Sequence, residues 1–294
     1  GVYTTYGASA GDSCIMVNIY NCFFDRSYYN YYNYYVSGGE VVGNEFNCDY
    51  SYGLRIRYSS DHLLANNMVY GATSYGMYTY NINNCKFYYN SVYSGDRAFY
   101  MSSSSGTGND IKNNIFFSTG SGTNSAAMYN SSAASATSDY NCLYAPNSTN
   151  LVYWGSYYTS LASYQSSTGQ DMHSINADPL FIDTTAASYD MHIDDASPCV
   201  ETAVAVPEVE FDFDGEQRHS STPCIGADEI AGGLRITLDP MNPPIQIPAG
   251  GGTIYFNATV ENMEDSAITF DAWSIITLPN GQNYGPLIVR NNLR

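Results

Sequence analysis

The chain has 294 residues, enough to bury a substantial core and to hold more than one domain. Only 13% of residues are charged, and 10 Lys plus Arg against 28 Asp plus Glu leave a formal charge of −18. That balance argues against a nucleic-acid partner, whose phosphates need a basic footprint, and no apolar run of about 18 residues offers a membrane span.

The first predicted element is a strand at Gly1-Val2-Tyr3-Thr4-Thr5. The same signal, Gly followed by alternating side chains, returns at Gly53-Leu54-Arg55-Ile56-Arg57 and Gly76-Met77-Tyr78-Thr79-Tyr80. With Val2, Leu54 and Met77 pointing inward, Tyr3, Arg55, Tyr78, Thr5, Arg57 and Tyr80 point outward on one face. Between these strands runs a second signal, a short pattern centred on asparagine: Ile19-Tyr20-Asn21-Cys22, Val42-Gly43-Asn44-Glu45, Leu64-Ala65-Asn66-Asn67, Ile82-Asn83-Asn84-Cys85, Ile111-Lys112-Asn113-Asn114 and Asp139-Tyr140-Asn141-Cys142. The steps between Asn21, Asn44, Asn66, Asn84, Asn113 and Asn141 fall in the range of solenoid repeats. A unit this short encloses no core of its own, so neighbouring coils must stack.

Parallel stacking places equivalent residues roughly 4.8 Å apart, and an inward asparagine at that spacing bonds to its counterparts above and below. Asparagine also tolerates the left-handed backbone of a sharp corner. The expectation is therefore an all-β chain, a parallel β-helix with a ladder of Asn21, Asn44, Asn66, Asn84, Asn113 and Asn141. Insertions such as 102–109 fall in outer loops.

Tyrosine is the compositional outlier, 30 residues against 12 Phe, and all but Tyr189, Tyr255 and Tyr284 precede residue 165. Tyrosine forms strands well, and it also supplies rigid apolar area with a hydrogen-bonding tip. An outward stripe of Tyr3, Arg55, Arg57, Tyr78 and Tyr80 suits a polar polymer built of rings, such as a polysaccharide. Seven cysteines are an odd number. Cys22, Cys85 and Cys142 occupy one slot of the repeat and read as small buried residues. Cys199 and Cys224 each follow a proline in a turn-rich stretch and form the candidate disulfide.

After Tyr144 the asparagine pattern fades. The chain continues through His173-Ser174-Ile175, Ala177-Asp178-Pro179-Leu180-Phe181, Ser197-Pro198-Cys199, Asp212-Phe213-Asp214-Gly215-Glu216-Gln217-Arg218 and Ile225-Gly226-Ala227-Asp228-Glu229. With Asp139-Tyr140-Asn141, this succession resembles the closing coils of bacterial right-handed parallel β-helix proteins of the pectin-lyase-like superfamily, in particular the choice-of-anchor Q group. The resemblance covers about 1–230. It implies a right-handed helix and an extracellular or bacterial cell-surface location, while such proteins include lyases, hydrolases and adhesins.

Around Ala231-Gly232-Gly233 a glycine hinge leads into a second domain, 234–294, whose alternating runs are separated by Asp239-Pro240, Gly250-Gly251-Gly252 and Pro279-Asn280-Gly281. It resembles an immunoglobulin-like β-sandwich and is shorter than the ~100 residues usual for one. Truncation is the expected reason. An uncapped first coil and an incomplete sandwich would also suit head-to-tail association into a filament.

Lyases of this fold neutralise a uronate carboxylate with a cation or Ca²⁺ and remove a proton with a basic side chain. Arg55, Arg57, Lys86, Arg97 and Lys112 are the cations of the middle coils and hence the catalytic candidates. Carboxylates are scattered there, which disfavours a hydrolase. Asp171-Met172-His173 and Asp190-Met191-His192 lie about one coil apart, so Asp171, His173, Asp190 and His192 are candidate metal ligands. Asp212-Phe213-Asp214-Gly215 looks like part of a calcium loop, but Ser221 stands where the twelfth-position Glu belongs, so a turn is expected and Ca²⁺ is a secondary possibility. No other cofactor is implied. The sequence favours a glycan-binding or display protein; a polysaccharide lyase and a self-assembling filament are the alternatives.

Overall fold

Glycine near the start of a strand marks a close approach between neighbouring stretches of the chain. A Cβ on Gly53 would stand 2.5 Å from Val69 Cγ1 and 2.6 Å from the Gly76 carbonyl, and one on Gly76 would stand 2.2 Å from Val92 Cγ1. This tight approach belongs to a coil of three strands, such as Tyr52–Arg57, Ser60–Ala65 and Met68–Ala72, after which Tyr75–Tyr80 begins the next coil. The computed structural model describes residues 2–5, 14–26, 29–102, 106–230, 234–241, 255–262, 269–277 and 283–293.

Stacked coils form three parallel sheets. Sheet 1 runs through Val2–Thr5, Tyr29–Tyr34, Tyr52–Arg57, Tyr75–Tyr80, Arg97–Met101, Ala126–Asn130 and Val152–Trp154, and Tyr157–Tyr158 closes it antiparallel. Sheet 2 includes Val36–Val42, Ser60–Ala65, Lys86–Tyr88, Asn109–Lys112 and Ala136–Asp139. Sheet 3 runs from Phe23–Asp25 through Glu45–Asn47, Met68–Ala72, Ser91–Ser94 and Ile115–Ser118 to Cys142–Tyr144. The core is a set of in-register columns. In sheet 1, Tyr31, Leu54, Met77, Phe99, Met128 and Val152 stack in turn, all fully buried. In sheet 3, Phe46, Val69, Val92, Phe116 and Leu143 do the same.

The corner between sheets 2 and 3 turns on one left-handed residue per coil: Asn21, Gly43, Asn66, Tyr89, Asn113 and Tyr140, with φ between 50° and 66°. From Gly43 onward the residue after it points inward. Asn44, Asn67, Asn90, Asn114 and Asn141 form the ladder, each side-chain amide donating to the next side-chain oxygen at 2.8–3.1 Å. Asn44 and Asn141 hold the ladder places expected of them, and four expected members do not. Asn21, Asn66 and Asn113 are one position early, at the left-handed corner. Asn84 lies at a different corner, before sheet 2, in register with Asp61 and Gly108. Steps of 23, 23, 24 and 27 residues replace the irregular spacing.

Beyond sheet 1 a short helix, Leu161–Thr168, is capped by Ser160 and by left-handed Gly169, and it sets Tyr164 against Trp154 at the end of the core. The chain to Ile230 then packs along the outside of the ladder corner and sheet 3. Ile193, Cys199, Val209, Cys224 and Ile225 bury against Ala65, Tyr89, Ile115 and Cys142, while Met191 and Ala227 bury against Met68 and Tyr70. The displaced asparagines serve this docking: Asn66 Nδ2 donates to the Phe211 carbonyl at 2.6 Å and Asn113 Nδ2 to that of Val204 at 2.8 Å.

The chain divides into Gly1–Ile230 and Ala231–Arg294. In the second unit, Leu234–Pro240 pairs antiparallel with Phe256–Asn262, and Phe270–Thr277 with Asn283–Leu293. The hinge 231–233 and the turns 250–252 and 279–281 lie outside the described residues.

Candidate functional site

With the closing segment laid over sheet 3, the outer surface of sheet 1 is where the tyrosines gather. Period-two alternation buries Leu54, Ile56, Met77 and Thr79 and turns Arg55, Arg57, Tyr78 and Tyr80 outward. Parallel register places Tyr32, Arg55, Tyr78, Tyr100, Tyr129 and Tyr153 in one outward column. The Tyr3 backbone pairs with Tyr32 at the head of that column, and its side chain lies outside what is described.

Three arginines are interleaved with these rings. The Arg55 guanidinium lies 4.9 Å from the ring centroids of Tyr32 and Tyr52 and 5.2 Å from that of Tyr78. Arg57 lies 4.9 Å from Tyr80 and 5.4 Å from Tyr58, and Arg97 lies 4.3 Å from Tyr129 and 4.7 Å from Tyr100. Each contact is a cation–π arrangement, which fixes long side chains that would otherwise sample many rotamers. Further rings extend the surface: Tyr78 and Tyr100 meet edge to face at 5.3 Å, and Tyr129 and Tyr153 stack at 4.2 Å. Burial and the Tyr157 hydroxyl push the Tyr129 phenol up to about 12, so it remains a neutral donor at physiological pH. Sheet 1 strands from Tyr29 to Trp154 contain three arginines and no carboxylate, in a chain whose formal charge is −18.

A family model for the right handed beta helix region matches residues 3–152, half of the chain. The chain belongs to that family. No curated protein matches it.

Membership supports the handedness expected of the coils and says nothing of what the β-helix binds. Of the catalytic candidates, Arg55, Arg57 and Arg97 are thus brought together on one face of the β-helix. Lys86 and Lys112 are not: Lys86 Nζ pairs with Glu208 at 2.6 Å and Lys112 Nζ with Asp110 at 2.8 Å. Lys86 and Glu208 line a separate groove of about 870 Å³ with Glu40, Asp61, Glu210 and Asp214.

The two Asp-Met-His triplets do different things. Asp171 is fully buried and ends the ladder, accepting from Asn141 Nδ2 at 2.9 Å and from Ser174 Oγ at 2.5 Å. Burial raises its carboxyl above the ordinary value, against those hydrogen bonds. His173 bonds Asp139 at 2.8 Å and stacks on Tyr140. The second triplet is a strand, Asp190–Ile193, with Asp190 and His192 on the same face. His192 gathers Asp214 and Asp228 around it, so the expected four-residue set splits because residues 170–174 form a turn rather than a strand. Asp212-Phe213-Asp214-Gly215 is the tip of a turn closed by a Phe211–Gln217 bridge.

Cys199 and Cys224 are free thiols, not a disulfide, and both are buried against the ladder corner. The neighbour of Cys199 is Cys142, whose hydrogen bond, together with burial, raises the Cys199 thiol well above its usual value. Cys22, Cys85 and Cys142 do not share a slot: Cys22 is level with Asn44, Cys85 with Asn109 and Cys142 with Ile115.

The face holds more residues than the sequence reading singled out. Tyr32, Tyr52, Tyr75, Tyr100, Tyr129 and Tyr153 were each announced only by the register. The signal was available as an apolar residue followed by Tyr or Arg, in Leu54-Arg55, Met77-Tyr78, Phe99-Tyr100, Met128-Tyr129 and Val152-Tyr153.

Proposed function

We propose that this β-helix binds polysaccharide on the outer face of sheet 1, with Arg55, Arg57, Arg97, Tyr78 and Tyr80 at its centre and the neighbouring Tyr32, Tyr100 and Tyr129 extending it. The observation that carries the reading is the ring-and-guanidinium lattice: three arginines, each lying over three tyrosines, on a sheet surface without a carboxylate. Tyrosine faces pack against the C–H faces of sugar rings, and phenol hydroxyls bond to ring hydroxyls. Guanidinium groups favour carboxylate or sulfate substituents. An acidic polysaccharide therefore fits better than a neutral one. A column that repeats at the strand spacing, about 4.8 Å, offers a run of contacts to an extended chain rather than a pocket for a single sugar. Similarity of the closing motifs to the choice-of-anchor Q group supports a secreted, surface-attached setting.

Binding rather than cleavage is the reading. Among the described residues, sheet 1 strands from Tyr29 to Trp154 bring no Lys, His or carboxylate beside the three arginines to serve as a proton acceptor. The test is a glycan array followed by titration of the best ligand. Tyr78→Ala and Arg55→Ala, checked for folding by circular dichroism, are expected to weaken binding by about tenfold or more. Unchanged affinity in both variants removes the site. Release of ultraviolet-absorbing unsaturated products from an acidic polysaccharide would make the protein a lyase instead.

A further inference from the structure

Away from the tyrosine face, three ligand-type atoms converge between two parts of the closing segment. A ring nitrogen of His192 and one carboxylate oxygen each from Asp214 and Asp228 all lie within 4.8 Å of one another. His192 Nδ1 faces Asp190 Oδ1 at 2.5 Å, and its Nε2 faces Asp214 Oδ2 at 2.8 Å. Asp228 is only 6% exposed. Its Oδ2 accepts the Ile193 N–H at 2.8 Å, and among the described residues its Oδ1 receives no donor.

Proton placement makes this arrangement informative. If Nδ1–H donates to Asp190, a neutral ring presents the Nε2 lone pair toward the carboxylate oxygens of Asp214 and Asp228. Nitrogen and carboxylate oxygens set this close need a proton or a metal cation between them. A carboxylate behind the distal nitrogen of a histidine is the outer-sphere arrangement that orients an imidazole toward a metal.

We infer that His192, Asp214 and Asp228 form a binding site for a divalent cation of the zinc and manganese class. Asp190 is the positioning residue behind the histidine. The nitrogen ligand favours such an ion over Ca²⁺, which takes oxygen donors and usually six to eight of them. The site is built rather than incidental. Asp212 Oδ1 accepts the N–H of Asp214 at 3.0 Å and of Glu216 at 2.7 Å, and its Oδ2 accepts the N–H of Glu229 at 2.9 Å. One buried carboxylate thereby ties the turn that carries Asp214 to the segment that carries Asp228. Phe213 N–H donates to the Ala227 carbonyl at 2.9 Å, a second tie, and the Phe213 ring lies edge-on to His192 with centroids 5.9 Å apart. Asp214 also lines the groove that holds Glu208 and Glu210.

The inference is independent of the glycan reading. Its test uses chelator-stripped protein titrated with Zn²⁺ by calorimetry, with Mn²⁺ and Ca²⁺ as comparisons. One Zn²⁺ per chain is expected, with an upward shift in thermal midpoint as binding staples the closing segment. Asp214→Asn, an exposed and nearly isosteric change, and His192→Gln are each expected to lower affinity by at least about tenfold, as is Asp190→Asn. Asp195→Asn, an exposed neighbour outside the cluster, is expected to bind as the parent does. Absence of stoichiometric Zn²⁺ binding overturns the inference, and histidine proton resonances would then show His192 held as imidazolium between Asp190 and Asp214. Binding untouched by Asp214→Asn and His192→Gln, or Ca²⁺ bound more tightly than Zn²⁺, overturns it as well.

Discussion

Asn67 and Asn90 lie one coil apart and bond twice: Asn67 Nδ2 donates to Asn90 Oδ1 at 2.9 Å, and the Asn67 backbone N–H donates to the same oxygen at 3.2 Å. Asn90 in turn donates to Asn114 Oδ1 at 2.8 Å and to the Leu64 carbonyl at 2.9 Å. All four partners are buried, so truncating the amide leaves several polar groups without water. Asn90→Ala is expected to cost about 2–4 kcal/mol, read as a lower urea midpoint. Asn84→Gly is expected to change stability by no more than about 0.5 kcal/mol. Asn84 is exposed, its φ of 49° suits glycine, and the next coil already carries Gly108 there. Equal losses in the two variants would contradict the ladder described above.

Much of the coil was legible from residues alone, because inward and outward positions alternate along a strand whatever its neighbours are. Alternation alone puts Leu54 and Met77 inward and Arg55, Arg57, Tyr78 and Tyr80 outward, as they stand. The ladder register was ambiguous for a local reason. Asn66-Asn67 and Asn113-Asn114 each offer two asparagines, and the corner and the ladder both select that residue type. Tyr89-Asn90 lacks the doubled signal, whereas Asn83-Asn84 carries it at a different corner, which makes the apparent step lengths irregular. The association of His192 with Asp214 and Asp228 was illegible, since it depends on how an irregular segment folds back across the coils, and no period encodes that.

Arg218 holds that segment down. Its guanidinium pairs with Glu229 at 3.1 Å, donates to Asn66 Oδ1 at 2.9 Å and to the carbonyls of Gly226 and Ala227 at 3.0 Å, and lies 3.9 Å from the Tyr89 ring centroid. Both charged side chains are buried. Arg218→Met strands the Glu229 carboxylate and is expected to cost about 3–5 kcal/mol. Adding Glu229→Gln keeps an acceptor for the Cys224 N–H while removing the stranded charge, and is expected to recover about 1–2 kcal/mol. Chemical denaturation of the two single variants and the double variant closes the cycle; strictly additive losses would mean the pair is not coupled.

Thiol reactivity reports the packing of the cysteines. Cys22 is exposed, whereas Cys48, Cys85, Cys142, Cys199 and Cys224 are buried. Burial pushes Cys48, Cys85 and Cys224 up to about 12, which leaves a thiolate fraction on the order of 10⁻⁴ at pH 8. Alkylation of the folded protein at pH 8, mapped by peptide mass, is therefore expected to modify Cys22 and spare those five. A Cys199–Cys224 linked peptide without reductant would contradict the structure.

His62 makes stability depend on pH with a definite sign. The ring is 1% exposed, between Asn33 and the Val36 carbonyl, and its Nδ1 has no partner among the described residues. Burial lowers its pKa below the ordinary 6.5 despite backbone hydrogen bonds that act the other way. The unfolded chain therefore takes up a proton near pH 6.5 that the folded chain refuses until lower pH. Stability from this group is complete above about 6.5 and is lost as the pH falls toward the folded value, at up to about 1.4 kcal/mol per unit. His62→Asn keeps a polar side chain at a position level with Asn109 two coils on and cannot titrate. Between pH 8 and pH 5 the parent is expected to lose up to about 2 kcal/mol more than the variant, measured as the difference in urea-unfolding free energy. His192 is common to both proteins, so its own titration cancels in that difference. Parallel losses in parent and variant would mean that His62 takes its proton as readily folded as unfolded.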